Sequence, residues 1–531
     1  MTRIVIAGGG LSGIAAALAA CESGADVLLL EHTSWLGGQL TAQLAPPDEH
    51  RRIERLGATA RYRRLRELIR EHYRRDVRFS DRLRANPIFN PGGGWVSPLT
   101  HEPLIAVAAL EEMLASVSAG GHLTLWRGSA VEQVDVDGDR IRALIVRDAE
   151  GATHELQPGV VVDATETGEL LALAGVEHVT GAESRDEHGE PSAPTHADPD
   201  DVQAATWAFA ISHHAGEDHR IDRPADYDYW RALRPSAWGG RSVLDWFGPD
   251  DAEGRATRYR IQPNPEAGPA EVDTDHRRIP AEPDLWSYRR VRARRAFDPG
   301  VFSSDVTIVN WPQNDYVGGR LDGPDAAHHR AASKAQSRAL LYWLQTEAPR
   351  PDGGTGYPGI KLAPEVSGTE DGFAAEPYLR ESRRIRARRT IREQDIAVHL
   401  RPSGEAERYR DSVGVGHYYW MDLHPSVTGR AGAGRKPLPF EIPLGALLPV
   451  RVENLIAAGK NIGTTHLTNG CYRLHPCEWA IGEAAGEVAA LAVRHATVPP
   501  AVHESPQLLN ELQGALERSG APLHWPAGLG W

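Results

Sequence analysis

A glycine-rich turn between an apolar run and an alanine-rich segment constrains the fold of this chain more than any other feature. The pattern GxGxxG occupies residues 8–13, directly after the apolar residues 3–7, and it opens a segment rich in Ala and Leu. A second apolar run, residues 26–30, ends at Glu31. This order of strand, glycine turn, helix and strand with a final acidic residue predicts a dinucleotide-binding α/β unit.

Each part of the pattern has a physical role in binding a dinucleotide. The glycines allow a tight turn and a close approach of the backbone to a pyrophosphate, whose negative charge the helix N-terminus stabilises. The carboxylate of Glu31 can accept hydrogen bonds from a ribose. The cofactor-binding residues predicted here are Gly8, Gly10, Leu11, Ser12, Gly13, Glu31 and His32.

The same glycine spacing occurs a second time, at residues 354–359, without the surrounding pattern. This copy follows Pro351-Asp352-Gly353 rather than an apolar run, and Pro358 would interrupt a helix. We interpret it as a loop. A chance glycine turn is the alternative for the first copy, and the strand, helix and acidic residue around it argue against that alternative.

The residues after Glu31 favour FAD over NAD. The run Trp35-Leu36-Gly37-Gly38-Gln39-Leu40 contains a pair of glycines, which lets the backbone approach the flavin half of a dinucleotide. An ordinary turn is the alternative for the pair taken alone. We therefore expect an FAD cofactor, and the further binding residues predicted are Gly37, Gly38, Gln39 and Leu40.

Six stretches of the chain resemble a family of FAD-dependent oxidoreductases in the glutathione-reductase-like superfamily. They are GGQLTAQ at residues 37–43, PPDEH at 46–50, NPGGGWVS at 90–97, NWPQNDY at 310–316, PYLRESRRI at 377–385 and THLTNGCYRLHP at 465–476. The resemblance covers nearly the whole chain and is weakest between residues 183 and 283. It implies an α/β fold, in which a Rossmann-like FAD-binding domain of the ββα type carries an inserted α+β substrate or lid domain.

The resemblance also implies where later segments pass the cofactor. Residues 160–170 look like the buried strand and loop beside the ADP half, with Glu166 where Gly is common. Residues 454–463 look like the strand that returns to the flavin. The small residues 482–486 are interpreted as a helix start that faces the flavin, packs closely on another helix, or both. The cofactor-binding residues predicted from the later segments are Val131, Ala164, Thr165, Gly459, Asn461, Arg473 and Pro476.

The hydrophobic pattern divides the chain into six segments. Three parts of the FAD-binding domain are predicted at residues 1–45, 119–177 and 450–497, a helical insertion at 46–118, the substrate or lid domain at 178–449 and a C-terminal tail at 498–531. Helices are predicted within residues 51–78, 103–118 and 325–346. Strands are predicted at 123–126, 128–136 and 141–148 as a meander, and at 159–163, 203–211 and 306–310.

Three histidines in segments expected to reach the flavin are candidate proton acceptors. His466 and His475 flank Arg473, and His424 follows an aromatic run. An imidazole can take up a proton near neutral pH, although a hydrogen-bonded structural role is the alternative for each histidine. Arg473 either neutralises charge on the substrate or the flavin, or it forms a buried salt bridge.

Residues 310–316 place polar side chains beside aromatic ones. We predict substrate contacts from Asn314, Asp315 and Tyr316, and the alternative is a turn anchored by the Asn and Asp side chains. Cys471 and Cys477 have five residues between them, a spacing that matches neither a CxxC redox pair nor the usual zinc pattern. No metal site is predicted.

Charge and hydropathy argue against several classes of function. The net charge of −14 disfavours nucleic-acid binding, and acidic residues interleave the Arg-rich run 380–392. No apolar stretch is long enough for a membrane span, no signal peptide precedes the first strand, and the cysteine number is odd, so we expect a cytoplasmic protein. The expected partner is a small molecule, and the sequence does not indicate an oligomeric state.

These features favour a dehydrogenase or oxidase that transfers a hydride from a small molecule to FAD. No second credible dinucleotide-binding unit is found, and Gly459-Lys460-Asn461 stands where aromatic hydroxylases of this fold carry a Gly-Asp pair. A flavin monooxygenase and a noncatalytic flavin-binding redox sensor are the alternatives.

Overall fold

A parallel sheet of five strands forms the centre of the first part of the molecule. The computed structural model describes residues 4–251, 253–266, 281–432 and 434–528. Every residue of the three central strands is buried, as in a sheet that is covered on both faces. The predicted α/β, Rossmann-like fold is confirmed. Across the sheet the parallel strands are Leu455–Ala457, Val160–Asp163, Ile4–Ala7, Val27–Glu31 and Leu123–Arg127.

Two long helices pack directly against each other beside this sheet. The first, Leu11–Glu22, begins at the glycine turn, and the second is His475–Arg494. Cβ atoms at Gly482 or Gly486 would collide with backbone oxygens of the first helix. The prediction of a helix start at residue 482 is therefore wrong, because these glycines lie inside the second helix and allow its close packing.

A three-stranded antiparallel sheet consists of Ala130–Asp137, Arg140–Arg147 and Thr153–Leu156. The prediction that residues 123–126 open this meander is wrong, because that strand pairs in parallel with Val27–Glu31. Gly128, with φ +64°, redirects the chain between the two sheets.

A four-stranded antiparallel sheet lies within the segment predicted as the substrate or lid domain, residues 178–449. Helix Ala326–Thr346 packs beside it. Its strands, in spatial order, are Arg290–Arg292, Val306–Val309, Phe209–His213 and Ile360–Leu362. Large aromatic side chains fill the core between helix and sheet. The fully buried tryptophans of this core are Trp238, Trp286, Trp311 and Trp343.

The single strand predicted for residues 203–211 is split in two. The first half, Ala205–Thr206, pairs with Asp315–Tyr316, and the second half belongs to the four-stranded sheet. Between them, the carbonyl oxygen of Trp207 accepts a hydrogen bond from Nδ2 of Asn314 at 3.2 Å. A buried asparagine side chain thus takes the place of a neighbouring strand, and the chain changes sheets there.

Further helices and strand pairs complete the fold. The predicted helix within residues 51–78 begins at Ala60, because Thr59 caps it by accepting a hydrogen bond from the backbone N–H of Tyr62 at 3.1 Å. The remaining helices are Ala60–Arg75, Asp81–Arg84, Pro103–Ala119, Glu169–Leu173, Arg185–His188, Tyr227–Ala232, Leu285–Tyr288, Pro364–Ser367, Glu393–Ile396, His466–Tyr472, Pro499–Glu504 and Pro506–Arg518. The remaining strand pairs are His178–Val179 with Arg384–Ile385, Phe247–Asp250 with Ala256–Arg258, and Ser412–Gly416 with Phe440–Pro443.

Within the described ranges, no helix is both long enough and apolar enough to cross a membrane. The division of the chain into six segments stays a prediction. Residues 1–3 of its first segment and 529–531 of its tail lie outside the described residues.

Candidate functional site

A cleft opens at the carboxyl ends of the parallel strands, where ligands bind in open α/β sheets. It contains about 590 Å³ of space that no protein atom fills. Eight of the predicted cofactor-binding residues line it together. They are Gly8, Gly10, Glu31, His32, Gly38, Val131, Ala164 and Thr165.

Glu31 fastens the glycine turn to the end of the second strand. Its Oε2 accepts a hydrogen bond from the backbone N–H of Gly9 at 2.7 Å. Its Oε1 accepts hydrogen bonds from the N–H and the hydroxyl of Thr33, both at 2.7 Å. Because an ionised carboxylate offers about four lone-pair sites, Glu31 can still accept a hydrogen bond from a ribose hydroxyl.

The glycine turn lines the cleft with Gly8 and Gly10 and leads into the first helix. Gly8 has φ +99°, and a Cβ atom there would collide with the carbonyl oxygen of Ala164. The first helix is capped by Gly10 without a side-chain hydrogen bond. The N–H groups of its first turn, residues 11–13, therefore have no intrahelical acceptor and attract negative charge. This turn fits the pyrophosphate of a dinucleotide.

The pair Gly37-Gly38 lies beside the glycine turn. The N–H of Gly37 donates to the carbonyl oxygen of Gly9 at 2.9 Å, and the two glycines have φ +108° and +51°. The next residue, Gln39, donates from Nε2 to the carbonyl oxygen of Arg473 at 3.2 Å. The segment 37–40, which ends in the buried Leu40, is thus tied to the turn before helix His475–Arg494.

A buried ion pair beside the cleft was not predicted. Oε2 of Glu166 lies 2.5 Å from Nζ of Lys460, which also donates to the carbonyl oxygen of Leu379 at 2.7 Å. Burial and the charge of Glu166 raise the pKa of the neighbouring Glu478 to about 7. Two features of the sequence could have suggested this ion pair. Lys460 lies in a segment of otherwise small or uncharged residues, and Glu166 stands where glycine is common.

The predicted residues of the returning segment shape its backbone. Oδ1 of Asn461 accepts a hydrogen bond from the N–H of Gly459 at 3.0 Å, and Nδ2 donates to the carbonyl oxygen of Asp163 at 3.0 Å. Pro476 lies in the first turn of the last long helix. These contacts hold the returning strand against the centre of the parallel sheet.

A cluster of polar side chains continues from Arg473. Its Nη2 donates to Oδ2 of Asp422 at 2.9 Å, and its Nη1 donates to the hydroxyl of Tyr378 at 2.7 Å. The same oxygen of Asp422 lies 3.4 Å from Nε2 of His424. Nδ1 of His424 lies 2.7 Å from Oδ2 of Asp315. The structure thus brings together Arg473, His424 and Asp315 from three separate predicted segments.

The two carboxylates of this cluster favour a protonated imidazole. Burial and the charge of Arg380 oppose protonation, but Asp315 and Asp422 outweigh them and raise the pKa of His424 above its ordinary 6.5. Burial favours the neutral form of Asp422, yet His424 and Arg473 hold the pKa of Asp422 well below its ordinary value. A proton on His424 is therefore stabilised from both sides of the ring.

Comparison with known proteins assigns the family. The family model described as FAD dependent oxidoreductase matches residues 3–516. The chain belongs to the FAD-dependent oxidoreductase family. The predicted cofactor, FAD, and the predicted class of enzyme are thereby confirmed. No curated protein matches the chain.

Solved structures that resemble this oxidoreductase include three from redox enzymes. BexE, studied for oxidation during BE-7585A biosynthesis, is 20% identical, with 42% of this chain and 39% of BexE covered and a TM-score of 0.25. Glycerol-3-phosphate dehydrogenase from Bacillus halodurans, solved with FAD, is 13% identical, with 40% of each chain covered and a TM-score of 0.24. The anhydrotetracycline hydroxylase OxyS from Streptomyces rimosus is 14% identical, with 97% and 66% covered and a TM-score of 0.29. The chain thus spans about two fifths of the length of the first two.

His475 of this oxidoreductase is hydrogen-bonded to backbone at both ring nitrogens. Nδ1 accepts from the N–H of Asp48 at 3.0 Å, and Nε2 lies 3.1 Å from the carbonyl oxygen of Ala45. Burial lowers the pKa of His475 to about 3. A neutral ring with Nε2 protonated satisfies both contacts.

His466 lies in a buried ion-pair network. Its Nδ1 is 2.9 Å from Glu381, and its Nε2 is 2.7 Å from Nη2 of Arg430. The side chain is 4% exposed, whereas that of His424 is 25% exposed. His424 is thus the most accessible of the three candidate histidines.

Of the three predicted substrate contacts, Asp315 joins the polar cluster. Nδ2 of Asn314 donates to the carbonyl oxygens of Trp207 and Val309, both at 3.2 Å, and its Oδ1 accepts from the N–H of Trp311 at 2.9 Å. These contacts match the anchored turn weighed as the alternative. The hydroxyl of Tyr316 lies 2.8 Å from Nδ1 of His329, away from His424.

Two arginines of the Arg-rich run 380–392 form internal ion pairs. Nη2 of Arg380 lies 3.0 Å from Asp315, and Nη2 of Arg384 lies 2.9 Å from Glu183. Both arginines are buried. Their charges therefore support the interior of the molecule and are not displayed on its surface.

Four further residues beside the polar cluster were not predicted. They are Asp48, Tyr288, Arg289 and Tyr418, which lie near one another. The PPDEH stretch contains Asp48, which gave a weak signal. Tyr288 and Arg289 gave no signal in the sequence, because they lie in none of the six stretches that carry the family resemblance and arginines are numerous around them.

Proposed function

We propose that this FAD-dependent oxidoreductase is a dehydrogenase or oxidase that oxidises a small molecule by hydride transfer, with His424 as the proton acceptor. One observation carries the proposal. A continuous line of contacts leads from the glycine pair through Gln39, Arg473 and Asp422 to His424. Bound FAD supplies the hydride acceptor, and the side chains of the protein supply binding, orientation and proton transfer.

The proposed cofactor contacts follow from the cleft. Glu31 binds the ribose of the adenosine half, and the N–H groups of residues 11–13 bind the pyrophosphate. Val131 and Thr165 line the same cleft on the adenosine side. The backbone at Gly38 admits the cofactor closely, because it carries no side chain.

His424 has the surroundings of a general base. Asp315 fixes the ring through Nδ1, which directs Nε2 toward Asp422 and the partly exposed side of the cluster. As substrate loses a hydride, the proton from its hydroxyl or amine passes to Nε2, where the two carboxylates stabilise the new charge. Arg473 holds Asp422 in place by its 2.9 Å hydrogen bond.

Anaerobic mixing of the holoenzyme with a panel of small metabolites tests the proposal. We expect at least one metabolite to bleach the visible absorbance of the flavin without NAD(P)H. Bleaching that requires NAD(P)H would favour the monooxygenase, and a flavin that no metabolite and no nicotinamide reduces would favour the noncatalytic sensor. Formation of hydrogen peroxide after oxygen is admitted separates an oxidase from a dehydrogenase.

We also propose that the protein works in the cytoplasm on a free small molecule. The cysteines Cys21, Cys471 and Cys477 are all free and buried, which suits a reducing compartment. The net charge of −14 argues against a nucleic-acid partner. Recovery of the protein from the culture medium rather than the cell extract would contradict this location.

A further inference from the structure

Arg289 is a buried cation with almost no hydrogen-bond partners. The residue is 6% exposed, and Nη2 makes one long contact, 3.4 Å to the hydroxyl of Tyr288. Its ion-pair partner, Oδ2 of Asp48, lies 3.7 Å away, beyond hydrogen-bonding distance. Neither Nε nor Nη1 finds an acceptor in the part of the chain that the structure describes. The guanidinium also lies 4.9 Å from the centroid of the Tyr288 ring, a cation–π contact. Its buried N–H groups without acceptors remain costly for the folded protein.

The adjacent residue, Arg290, has the hydrogen bonds expected of an arginine with a structural role. Nε of Arg290 donates to the carbonyl oxygen of Gly92 at 2.8 Å, Nη1 to Asp305 at 2.9 Å, and Nη2 to the carbonyl oxygen of Gly93 at 3.2 Å. Every nitrogen of that side chain thus has a partner. The contrast indicates that the free N–H groups of Arg289 serve something other than the scaffold.

Arg473 reaches the same neighbourhood from the cofactor-binding side. Its two Nη atoms are hydrogen-bonded, but its Nε has no acceptor among the described residues. Burial lowers the pKa of Arg289 and of Arg473, whereas Asp48, Tyr378 and Tyr418 act on both, and the net shift is upward for each. Both guanidiniums therefore stay charged. Asp48, the ion-pair partner of Arg289, donates its backbone N–H to Nδ1 of His475, two residues after Arg473 along the chain.

The available hydrogen bonds identify the ligand by its chemistry. Arg289 and Arg473 together offer three N–H donors without acceptors. The hydroxyls of Tyr288 and Tyr378 each accept a hydrogen bond from a guanidinium and retain a proton to donate. A carboxylate supplies about four lone-pair sites and a negative charge, and a neutral carbonyl supplies two sites and no charge.

We propose that Arg289 and Arg473 bind a carboxylate group of the substrate, so that this oxidoreductase acts on a small carboxylic acid. The inference rests on the proposed function for the statement that the ligand is the substrate. Arg473 also holds Asp422, which contacts Nε2 of His424. One end of the substrate would thus be held next to the group that receives its proton.

Isothermal titration of the oxidised holoenzyme tests this site. The probes are acetate, pyruvate and benzoate, each paired with its amide: acetamide, pyruvamide and benzamide. We expect at least one carboxylate to bind, about 10-fold or more tightly than its amide, because the amide lacks the charge. Binding by none of the carboxylates, or equal binding of a carboxylate and its amide, would overturn the proposal.

Matched variants separate binding from folding. Arg289→Gln should weaken carboxylate binding about 10-fold or more with a smaller fall in melting temperature than Arg290→Gln, because Arg289 makes one long hydrogen bond where Arg290 makes three. Arg289→Lys should restore part of the affinity. Arg290→Gln should lower the melting temperature and leave the affinity unchanged. A fall in melting temperature for Arg289→Gln as large as for Arg290→Gln would assign Arg289 to the scaffold and refute the proposal.

Two readouts distinguish this inference from its alternatives. A changed flavin reduction potential in Arg289→Gln, with unchanged carboxylate affinity, would show that Arg289 faces the flavin, and the proposal would be wrong. The titration involves no turnover, so its outcome is independent of flavin reduction. Carboxylate binding without any reducing substrate would count against the proposed function alone, and reduction by an uncharged substrate would count against the carboxylate site alone.

Discussion

Nδ1 of His424 lies 2.7 Å from Oδ2 of Asp315, a residue of the antiparallel strand pair outside the cofactor-binding sheet. Asp315 is itself fixed by a 2.6 Å hydrogen bond from the hydroxyl of Thr206 and by a 3.0 Å ion pair with Arg380. Asp422 lies 3.4 Å from the other ring nitrogen and is itself held by a hydrogen bond from Arg473. The orientation of the imidazole is thus set from two different parts of the chain.

Replacement of His424 by Asn should slow flavin reduction about 100-fold, the usual scale of lost general-base assistance, while FAD stays bound. Anaerobic stopped-flow absorbance of the flavin, with the metabolite that reduces the wild type, measures the rate. His466→Asn is the matched variant, because that ring also contacts a carboxylate and an arginine. A wild-type rate in His424→Asn together with slow reduction in His466→Asn would move the base to His466.

The rate of flavin reduction should rise with pH, and the midpoint of this rising limb of the pH profile should be the pKa of His424. The neutral ring accepts the proton, and the pKa of His424 is raised above 6.5, so the limb should lie above that pH. In Asp422→Asn one of the two carboxylates that raise this pKa is removed, and the limb should move to lower pH. An unmoved limb in that variant would exclude His424 as the group that titrates.

Replacement of Glu31 by Ala should weaken FAD binding by about 1.5–3 kcal/mol, the usual value of hydrogen bonds to a charged group. The change removes the carboxylate that we propose to bind the ribose and that accepts a hydrogen bond from the N–H of Gly9. Titration of the apoprotein with FAD, followed by quenching of flavin fluorescence, measures the affinity. Thr33→Val is the control, because it removes one donor to Glu31 and keeps the carboxylate. Equal affinity in Glu31→Ala and the control would remove Glu31 from the site.

Replacement of Gly482 by Ala should destabilise the protein by about 1–3 kcal/mol, the usual cost of overpacking. Its Cβ would collide with the backbone oxygen of Ser12 and force the two long helices apart. The control is Gly514→Ala in helix Pro506–Arg518, where the new Cβ would meet the flexible end of Arg518 at 3.1 Å. The control should be neutral or stabilised by up to about 1 kcal/mol. Thermal denaturation of both variants compares them, and equal melting temperatures would refute the packing argument.

The glycine turn could be predicted from sequence because its information is local. The glycines, the strand before them and the helix after them are contiguous, and each residue type is required by the conformation at its own position. The prediction of the meander was wrong at its first strand because the pairing of that strand is not determined locally. Whether residues 123–127 pair with residues 27–31 or with residues 130–137 depends on the direction that Gly128 gives the chain, which hydrophobic periodicity does not contain.

Single residues of the candidate site could be predicted from the sequence, but the contacts between them could not. Asp315, His424 and Arg473 each stood out as polar residues beside aromatic or flavin-directed segments. The choice among three histidines required burial and partner geometry, which come from contacts between distant segments. The ion pair of Glu166 with Lys460 and the free donors of Arg289 are of the same kind, because neither can be inferred from its own neighbours in sequence.

The ring of His475 has a consequence for the order in which the molecule can assemble. It joins the backbone of residues 45–48 to a helix start that is 427 positions from Asp48 along the chain. The strand Leu455–Ala457 pairs with Val160–Asp163, and the helix His475–Arg494 packs against the first helix of the chain. A ribosome must therefore deliver nearly all of the polypeptide before the first helix and the segment around residues 45–48 have all of their neighbours, and completion of the cofactor-binding part is accordingly a late step in the biosynthesis of the enzyme.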